Sequence, residues 1–196
     1  MDQKLTEKFE QALQYAVRLH AGQFRKGSGV PYASHLLAVT AIVMENDGDE
    51  DTCIAALLHD AAEDQGGRET LEEIRVLFGE TVADIVTDCT DSWIHPKPPW
   101  RGRKEDYVAK LADKPEDSLL VSLADKIHNA RSILADCRSH GDDLWQRFQA
   151  GKDGVLWYYG ALVQAFRKSG AYPGLVDELD RIVTALNAVA HASDRQ

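Results

Sequence analysis

The sequence has few cysteines, no long apolar run and a deficit of cations, and each shortage excludes a class of protein. Cys53, Cys89 and Cys137 are far apart and form no CxxC pair, which favours reduced thiols in the cytoplasm over a disulfide framework. No apolar run approaches the roughly 18 residues of a membrane span, and the polar residues 1–11 predict no secretory signal. The net charge of −10 disfavours non-specific binding to nucleic acid.

The chain is instead rich in apolar stripes with the period of a helix. Hydrophobic residues make up 44% of the sequence, enough for a core in a chain of this length. No segment has the alternation typical of a strand. These patterns predict an all-α, compact single-domain helical bundle over residues 1–196, with eight or nine helices near 5–19, 34–43, 54–61, 70–79, 82–89, 100–112, 115–134, 153–169 and 174–191.

Local signals predict where some of these helices start and stop. Ser34 is in a position to cap the second helix, and Thr70 with Glu73 has the spacing of a capping box. Three prolines within four residues predict that the segment 91–99 is not helical.

The string ALLHDAAED at 56–64 is the most informative for chemistry. On a continuous helix, His59 and Asp60 would lie about 100° apart and lean towards one metal ion. Glu63 and Asp64 follow one turn later. A His-Asp pair is more often a cap beside solvated acids, but the apolar residues ahead of this pair predict a buried helix. Its histidine and two or three of its acids should then face the interior, where charges are paired or bind metal.

Two further residues are suitable partners for this pair. His35 begins the helix after a cationic loop, and Asp125 is an acid on the apolar helix of LVSLADKIHNAR. Each alone is more often structural, as a core histidine or a salt-bridge partner. Together, His35, His59, Asp60 and Asp125 make a set of two imidazoles and two carboxylates, which suits Mn²⁺, Fe²⁺ or Zn²⁺ better than Ca²⁺.

The order and spacing of three motifs resemble the HD-domain phosphohydrolases. HAGQFRKGSGVPYASH, HDAAED and LADKIHNAR are similar to the HxGQxRK…PYxxH, HDxxED and ADKxxNxR motifs of one branch. That branch contains the hydrolase domain of the RelA/SpoT alarmone enzymes and the small alarmone hydrolases. The resemblance covers a motif core of about 12–165, ahead of the C-terminal helix at about 174–191.

The resemblance implies a compact helical bundle that uses Mn²⁺ to remove pyrophosphate from the 3′ position of guanosine tetra- and pentaphosphate. By matching positions it implies that His35, His59, Asp60 and Asp125 bind the metal. It implies that Glu63 and Asp64 position or deprotonate water. A cytoplasmic enzyme acting on a small nucleotide is expected, with neither nucleic acid nor membrane as partner, and the sequence carries no signal for oligomeric state.

The substrate contacts depend on weaker matches. The resemblance implies that Arg25 stacks on the base beside Lys26 and that Asn129 contacts the nucleoside. Arg103 and Lys104 belong to the basic cluster of an acidic chain and are expected to hold outer phosphates, although a solvated helix start would carry the same charges. Tyr158 is a candidate for the nucleoside pocket or plain core packing. Leu36 departs from the proline that relatives often have after the first histidine.

Two alternatives stay open at this point. The same metal core would serve a nucleotidase or phosphatase acting on a dNTP, NADPH or adenosine alarmones. A degenerate domain kept for binding would usually lack ligands or acids, and all six are present here. A cyclic-dinucleotide phosphodiesterase of the GYP type is disfavoured, because no GYP tripeptide follows the His-Asp motif.

Overall fold

The computed structural model describes residues 4–93 and 96–193. All the regular secondary structure within these residues is helical. Those residues form no strand, only an isolated bridge between Phe24 and Pro31. The predicted all-α class is confirmed. The helices are α1 (Glu7–Leu19), α2 (Ala33–Glu45), α3 (Glu50–Leu58), α4 (Ala61–Gln65), α5 (Arg68–Phe78), α6 (Glu80–Cys89), α7 (Trp100–Leu111), α8 (Glu116–His140), the 3-10 helix η1 (Gly141–Arg147), α9 (Gly151–Ser169) and α10 (Pro173–Ser193).

The described residues fall into two compact units. The first takes in those of Met1–Pro96 together with Pro115–Ala124, and the second takes in Lys97–Lys114 and Asp125–Gln196. The long helix α8 therefore contributes its first turns to one unit and the remainder to the other. That residues 1–196 form a single domain stays a prediction.

α3 is the centre of the first unit. Every residue from Thr52 to Leu58 is buried, and α3 packs against α1, α2 and α6. The carboxylate of Asp49 caps its start by accepting from the backbone N–H of Thr52 at 2.8 Å. Because a helix that is apolar all round must be buried, the residues that follow Leu58 emerge inside the unit.

A glycine pair separates α4 from α5. Gly66 and Gly67 have φ values of 157° and 67°, which side chains of L-residues rarely allow. α5 then begins at Arg68, so Thr70 lies within it and its hydroxyl donates to the carbonyl of Gln65 at 3.4 Å. The predicted capping box is wrong for that reason.

The predicted cap of the second helix is also wrong. α2 begins at Ala33, and the residue before it, Tyr32, makes no capping hydrogen bond through its side chain. Ser34 therefore lies inside the first turn. In both cases the helix starts earlier than the local signal predicts, by two residues for α2 and by three for α5.

The second unit is built on α9, which packs against α7, α10 and η1. Its buried side includes Leu162 and Phe166. At the other end of the helix, Trp100 of α7 meets Tyr158 edge to face, with ring centroids 5.8 Å apart. The aromatic run at 157–159 is therefore part of the packing in this unit.

Two remaining predictions concern the loop before α7 and the membrane. Residues 91–93 and 96–99 are non-helical, as the prolines predict, while Ile94 and His95 lie outside the described residues. Among the helices described, none is both long and apolar enough to cross a membrane.

Candidate metal centre

His59 and Asp60 occupy a break between two helices. α3 ends at Leu58 and α4 begins at Ala61, so the predicted continuous helix through Ala61 is wrong. The cause is local, because Nδ1 of His59 lies 2.8 Å from the carbonyl oxygen of Ala56. A carbonyl only accepts, so Nδ1 carries the proton and the ring folds back on its own helix.

This bond determines which nitrogen of His59 faces the site. With the proton on Nδ1, Nε2 of a neutral ring presents a lone pair. Nε2 lies 3.0 Å from Oδ2 of Asp60, and Nε2 of His35 lies 3.6 Å from the same oxygen. The two imidazoles meet edge to face at 5.2 Å, with 0% and 2% of His35 and His59 exposed.

The carboxylate of Asp60 is ionised in these surroundings. Burial raises the pKa of Asp60, but the positive charge that His59 and His35 carry when protonated, with their hydrogen bonds, outweighs burial and lowers that pKa well below its usual range. The hydroxyl of Tyr32 also donates to Oδ2 at 2.5 Å. A negative charge is thus maintained beside two buried ring nitrogens.

Asp125 brings a second carboxylate to the same group. It lies in α8. Within the part of the chain that the structure describes, ligand atoms of His35, His59 and Asp125 all lie within 4.8 Å of one another. Oδ2 of Asp125 accepts from Nζ of Lys126 at 2.6 Å, and Oδ1 accepts from the amide of Asn129.

These residues fit a divalent metal ion. Two imidazoles with carboxylates form a donor set that suits transition metals, and the hydrogen bond from Nδ1 of His59 to a backbone carbonyl is the outer bond that metal-binding histidines usually make. Burying such donors together is costly unless a cation pairs with them. Asp60 adjoins the group through its contacts with both histidines.

Glu63 and Asp64 lie one turn past the pair, on α4. Oε2 of Glu63 accepts from the backbone N–H of Asp91 at 3.0 Å. Oδ2 of Asp64 accepts from the side-chain amide of Gln23 at 2.8 Å. Asp60 and Glu63 are half-buried and Asp64 is exposed, so two of the three acids predicted for the interior are shielded from solvent. The short helix α4 turns the carboxylate of Asp64 to the surface.

The predicted cations of the first unit lie on the loop ahead of α2. The backbone N–H of Arg25 donates to the carbonyl of Val30 at 2.8 Å, which pins the loop. Its guanidinium lies 5.8 Å from the ring centroid of Tyr32. Lys26 is exposed. Tyr32 therefore joins Arg25 to Asp60.

The other predicted substrate contacts belong to the second unit. Nζ of Lys104 lies 5.1 Å from the ring centroid of the buried Tyr158, so these two come together. Nε of Arg103 donates to the carbonyl of Pro98 at 3.0 Å. Asn129 contacts Asp125, which gives it a role in orienting that carboxylate beside its predicted contact with the nucleoside.

Three residues of the site were missed from the sequence: Gln23, Tyr32 and Lys126. Burial lowers the pKa of Lys126, but the carboxylate of Asp125 outweighs it and holds that pKa well above its usual range. Each residue belongs to a motif already singled out, because Gln23 and Tyr32 precede His35 and Lys126 follows Asp125. Their position beside predicted ligands was the available signal.

The family model of the HD domain matches residues 12–156 of this chain. The chain belongs to the HD domain family. The matched range contains every predicted metal ligand of this HD domain and ends just ahead of Tyr158.

Named relatives of this HD domain act on nucleotides. It is 38% identical over 185 residues to the GTP pyrophosphokinase of Streptomyces coelicolor, covering 89% of this chain and 21% of that protein. It is 36% identical over 126 residues to guanosine-3′,5′-bis(diphosphate) 3′-pyrophosphohydrolase MESH1 of Xenopus tropicalis, covering 63% of this chain and 68% of that one. The chain thus spans about a fifth of the first relative and two thirds of the second.

Solved structures show the same fold. A metazoan ortholog of SpoT that hydrolyses ppGpp superposes with a TM-score of 0.76 and 30% identity, covering 91% of this HD domain and 95% of that chain. A protein of Listeria monocytogenes superposes with a TM-score of 0.66 and 30% identity, covering 76% and 96%. The predicted HD-type fold and the resemblance to the alarmone-hydrolase branch are confirmed.

Proposed function

We propose that this HD domain hydrolyses the 3′-diphosphate of guanosine 3′,5′-bis(diphosphate), giving GDP and pyrophosphate, and converts the pentaphosphate to GTP. The observation that carries the proposal is the buried group of His35, His59 and Asp125 with Asp60 against it. Its relatives include a pyrophosphohydrolase named for this reaction and an ortholog of SpoT that hydrolyses ppGpp.

His35, His59, Asp60 and Asp125 would hold the metal, for which we propose Mn²⁺ ahead of Fe²⁺ and Zn²⁺. A divalent ion bound there lowers the pKa of water and polarises a phosphoryl oxygen. The chain orients its own ligands, since Tyr32 contacts Asp60 while Lys126 and Asn129 contact Asp125. Such outer contacts hold ligands in position before the metal binds.

Glu63 and Asp64 handle the water and its proton. Because the N–H of Asp91 anchors Glu63, we assign Glu63 to positioning water. Asp64 is exposed and is held by Gln23, so we assign it the proton. The water oxygen attacks the phosphorus next to the 3′-oxygen, the P–O3′ bond breaks, and the 3′-oxygen leaves with a proton as GDP.

The substrate carries two diphosphates, and one divalent ion neutralises only part of their negative charge. Cationic side chains of the protein would neutralise the remainder. We assign Arg103 and Lys104 to the outer phosphates, Lys26 to a phosphate nearer the loop, and Arg25 to stacking on the base. Asn129 and Tyr158 are assigned to the nucleoside. Cys53, Cys89 and Cys137 form no disulfide among the described residues, which suits a reducing compartment, and we place the enzyme in the cytoplasm.

Product analysis by chromatography tests the proposal. Purified protein with Mn²⁺ is offered guanosine tetraphosphate, its adenosine counterpart, NADPH and common dNTPs. We expect GDP and pyrophosphate from the first, and in H₂¹⁸O we expect the label in pyrophosphate and none in GDP. Turnover of NADPH or a dNTP with none of either alarmone would overturn the proposal in favour of a general nucleotidase.

A further inference from the structure

His20 is a buried histidine that none of the steps above uses. It ends α1, and only 3% of it is exposed. Its ring stacks on Tyr32, with centroids 5.3 Å apart and planes 19° from parallel. Its Nδ1 lies 2.6 Å from Oε1 of Gln23, the residue whose amide contacts Asp64. A line of contacts thus runs from the core to an exposed acid.

The chemistry of the partners determines the direction of each hydrogen bond. Oδ2 of Asp64 is a carboxylate oxygen and accepts, so the atom of Gln23 that lies 2.8 Å from it is the donating NH₂ group. Oε1 of Gln23 must then face the other way, where it accepts from Nε2 of Gln65 at 2.5 Å. An oxygen has no proton to give, so Nδ1 of His20 is the second donor to it.

The other ring nitrogen shows that packing alone does not account for a histidine here. Nε2 of His20 is buried and has no hydrogen-bond partner among the described residues. A buried polar atom without a partner is destabilising, and an apolar side chain of similar size would fill the position without that cost. The chain keeps an imidazole whose one satisfied nitrogen points at Gln23.

We propose that His20 and Gln23 are positioning residues for Asp64. His20 holds the oxygen of the Gln23 amide, so the NH₂ group is presented to the exposed carboxylate in a single orientation. Nε2 of Gln65 donates to the same oxygen of the Gln23 amide. The ordered carboxylate then accepts the proton of water at the start of hydrolysis. This inference rests on the role proposed above for Asp64.

Two variants of His20 separate the contribution of its aromatic ring from that of its Nδ1–H group. His20→Phe keeps a ring against Tyr32 but removes the N–H, whereas His20→Asn loses the ring but supplies an amide N–H close to the position of Nδ1. We expect His20→Phe to lower kcat about tenfold to a hundredfold, the usual scale for an outer contact, with KM and metal content unchanged. His20→Asn should recover most of that loss. His191→Phe, at an exposed histidine that bonds to its own helix, is the matched control.

Gln23 provides the second arm. Gln23→Glu puts an anionic oxygen beside Asp64, and we expect a larger fall in kcat than for the neutral Gln23→Met. The double variant His20→Phe with Gln23→Met should lower kcat no more than the worse single change does, because both changes break the same series of hydrogen bonds. Additive losses, or equal losses for His20→Phe and His20→Asn, would overturn the inference.

A measurement without substrate or metal separates this inference from the proposed function. ¹⁵N NMR of the metal-free protein should show His20 with its proton on Nδ1, and Gln23→Met should remove that preference. A proton on Nε2 in the unmodified chain would overturn the positioning role, whatever nucleotide the enzyme cleaves. A wild-type protein with the expected tautomer and no alarmone hydrolysis would instead refute the proposed function alone.

Discussion

The two ring nitrogens of His59 make different contacts, and this difference organises the centre. Nδ1 donates to the carbonyl of Ala56, and Nε2 faces Asp60. The first bond ends α3 and the second contact completes the donor group. A histidine at this position therefore contacts both the backbone and the proposed metal site.

The first prediction concerns the metal ligands. His59→Ala and Asp60→Ala should each reduce the bound metal from about one per chain to background and abolish turnover, because each change removes a proposed ligand of the metal. Elemental analysis of purified protein measures the first effect. His140→Ala, at an exposed histidine that bonds only to its own helix in the described contacts, is the control. Unchanged metal content in both ligand variants would contradict the assignment.

The second concerns Glu63. In Glu63→Gln, the amide oxygen can still accept from the N–H of Asp91, so the fold and the metal should be retained. The loss of charge next to the reacting water should lower kcat by about 10²-fold or more. Steady-state kinetics with metal analysis measures both, and Glu69→Gln on the exposed side of α5 is the control. Wild-type turnover would assign the chemistry to another residue.

Among the elements, α3 combines a buried body with charged ends. Cys53 lies in its first turns and is 1% exposed. Burial, with the nearby carboxylates of Asp49 and Glu50, raises the pKa of the Cys53 thiol from 9.0 to about 11. The folded protein therefore holds this proton more tightly than the unfolded chain does.

A pH dependence of stability follows from Cys53. A raised pKa in the folded state gives stability that is complete below pH 9 and is lost as pH rises through about 11. The wild type should lose about 1–3 kcal/mol of its free energy of unfolding across that window from this group. Cys53→Ala should start less stable but lose less over the same range. Urea unfolding at several pH values measures the difference, and equal slopes for both proteins would contradict the cause.

The whole molecule is acidic, with a net charge of −10, and the proposed substrate is a polyanion. Binding of this substrate must then depend on a few cationic side chains that offset the repulsion from the negatively charged protein. Arg103 and Lys104 are both half-buried on α7, and Lys104 lies against Tyr158. Half-buried cations are screened less by salt than fully exposed ones.

We therefore predict that Arg103→Gln with Lys104→Gln raises KM strongly for guanosine tetraphosphate and much less for a nucleoside monophosphate. The loss should shrink at high ionic strength, because the attraction is electrostatic. Steady-state kinetics at several salt concentrations measures both effects. Lys110→Gln with Lys168→Gln removes the same charge from exposed sites of the second unit and is the control. An equal rise in KM for both double variants would show that net charge alone is responsible.

Much of the molecule was determined by local sequence. Apolar residues at helical spacing predict most of the helices, because burial of one face is what stabilises them, but α4 and η1 were not predicted as separate helices. The three motifs also predicted the residues of the proposed metal site, because histidine and carboxylate side chains are typical ligands of divalent metals. His35, His59 and Asp125 do converge.

Only the tertiary structure decided how these residues are used. The break at His59 depends on a side chain bonding to Ala56, and the surface position of Asp64 depends on the turn of α4. The links from Tyr32 to Asp60 and from His20 through Gln23 to Asp64 join residues from different elements. Hydrogen bonds between distant segments leave no period in the sequence, because their partners are chosen by packing in three dimensions.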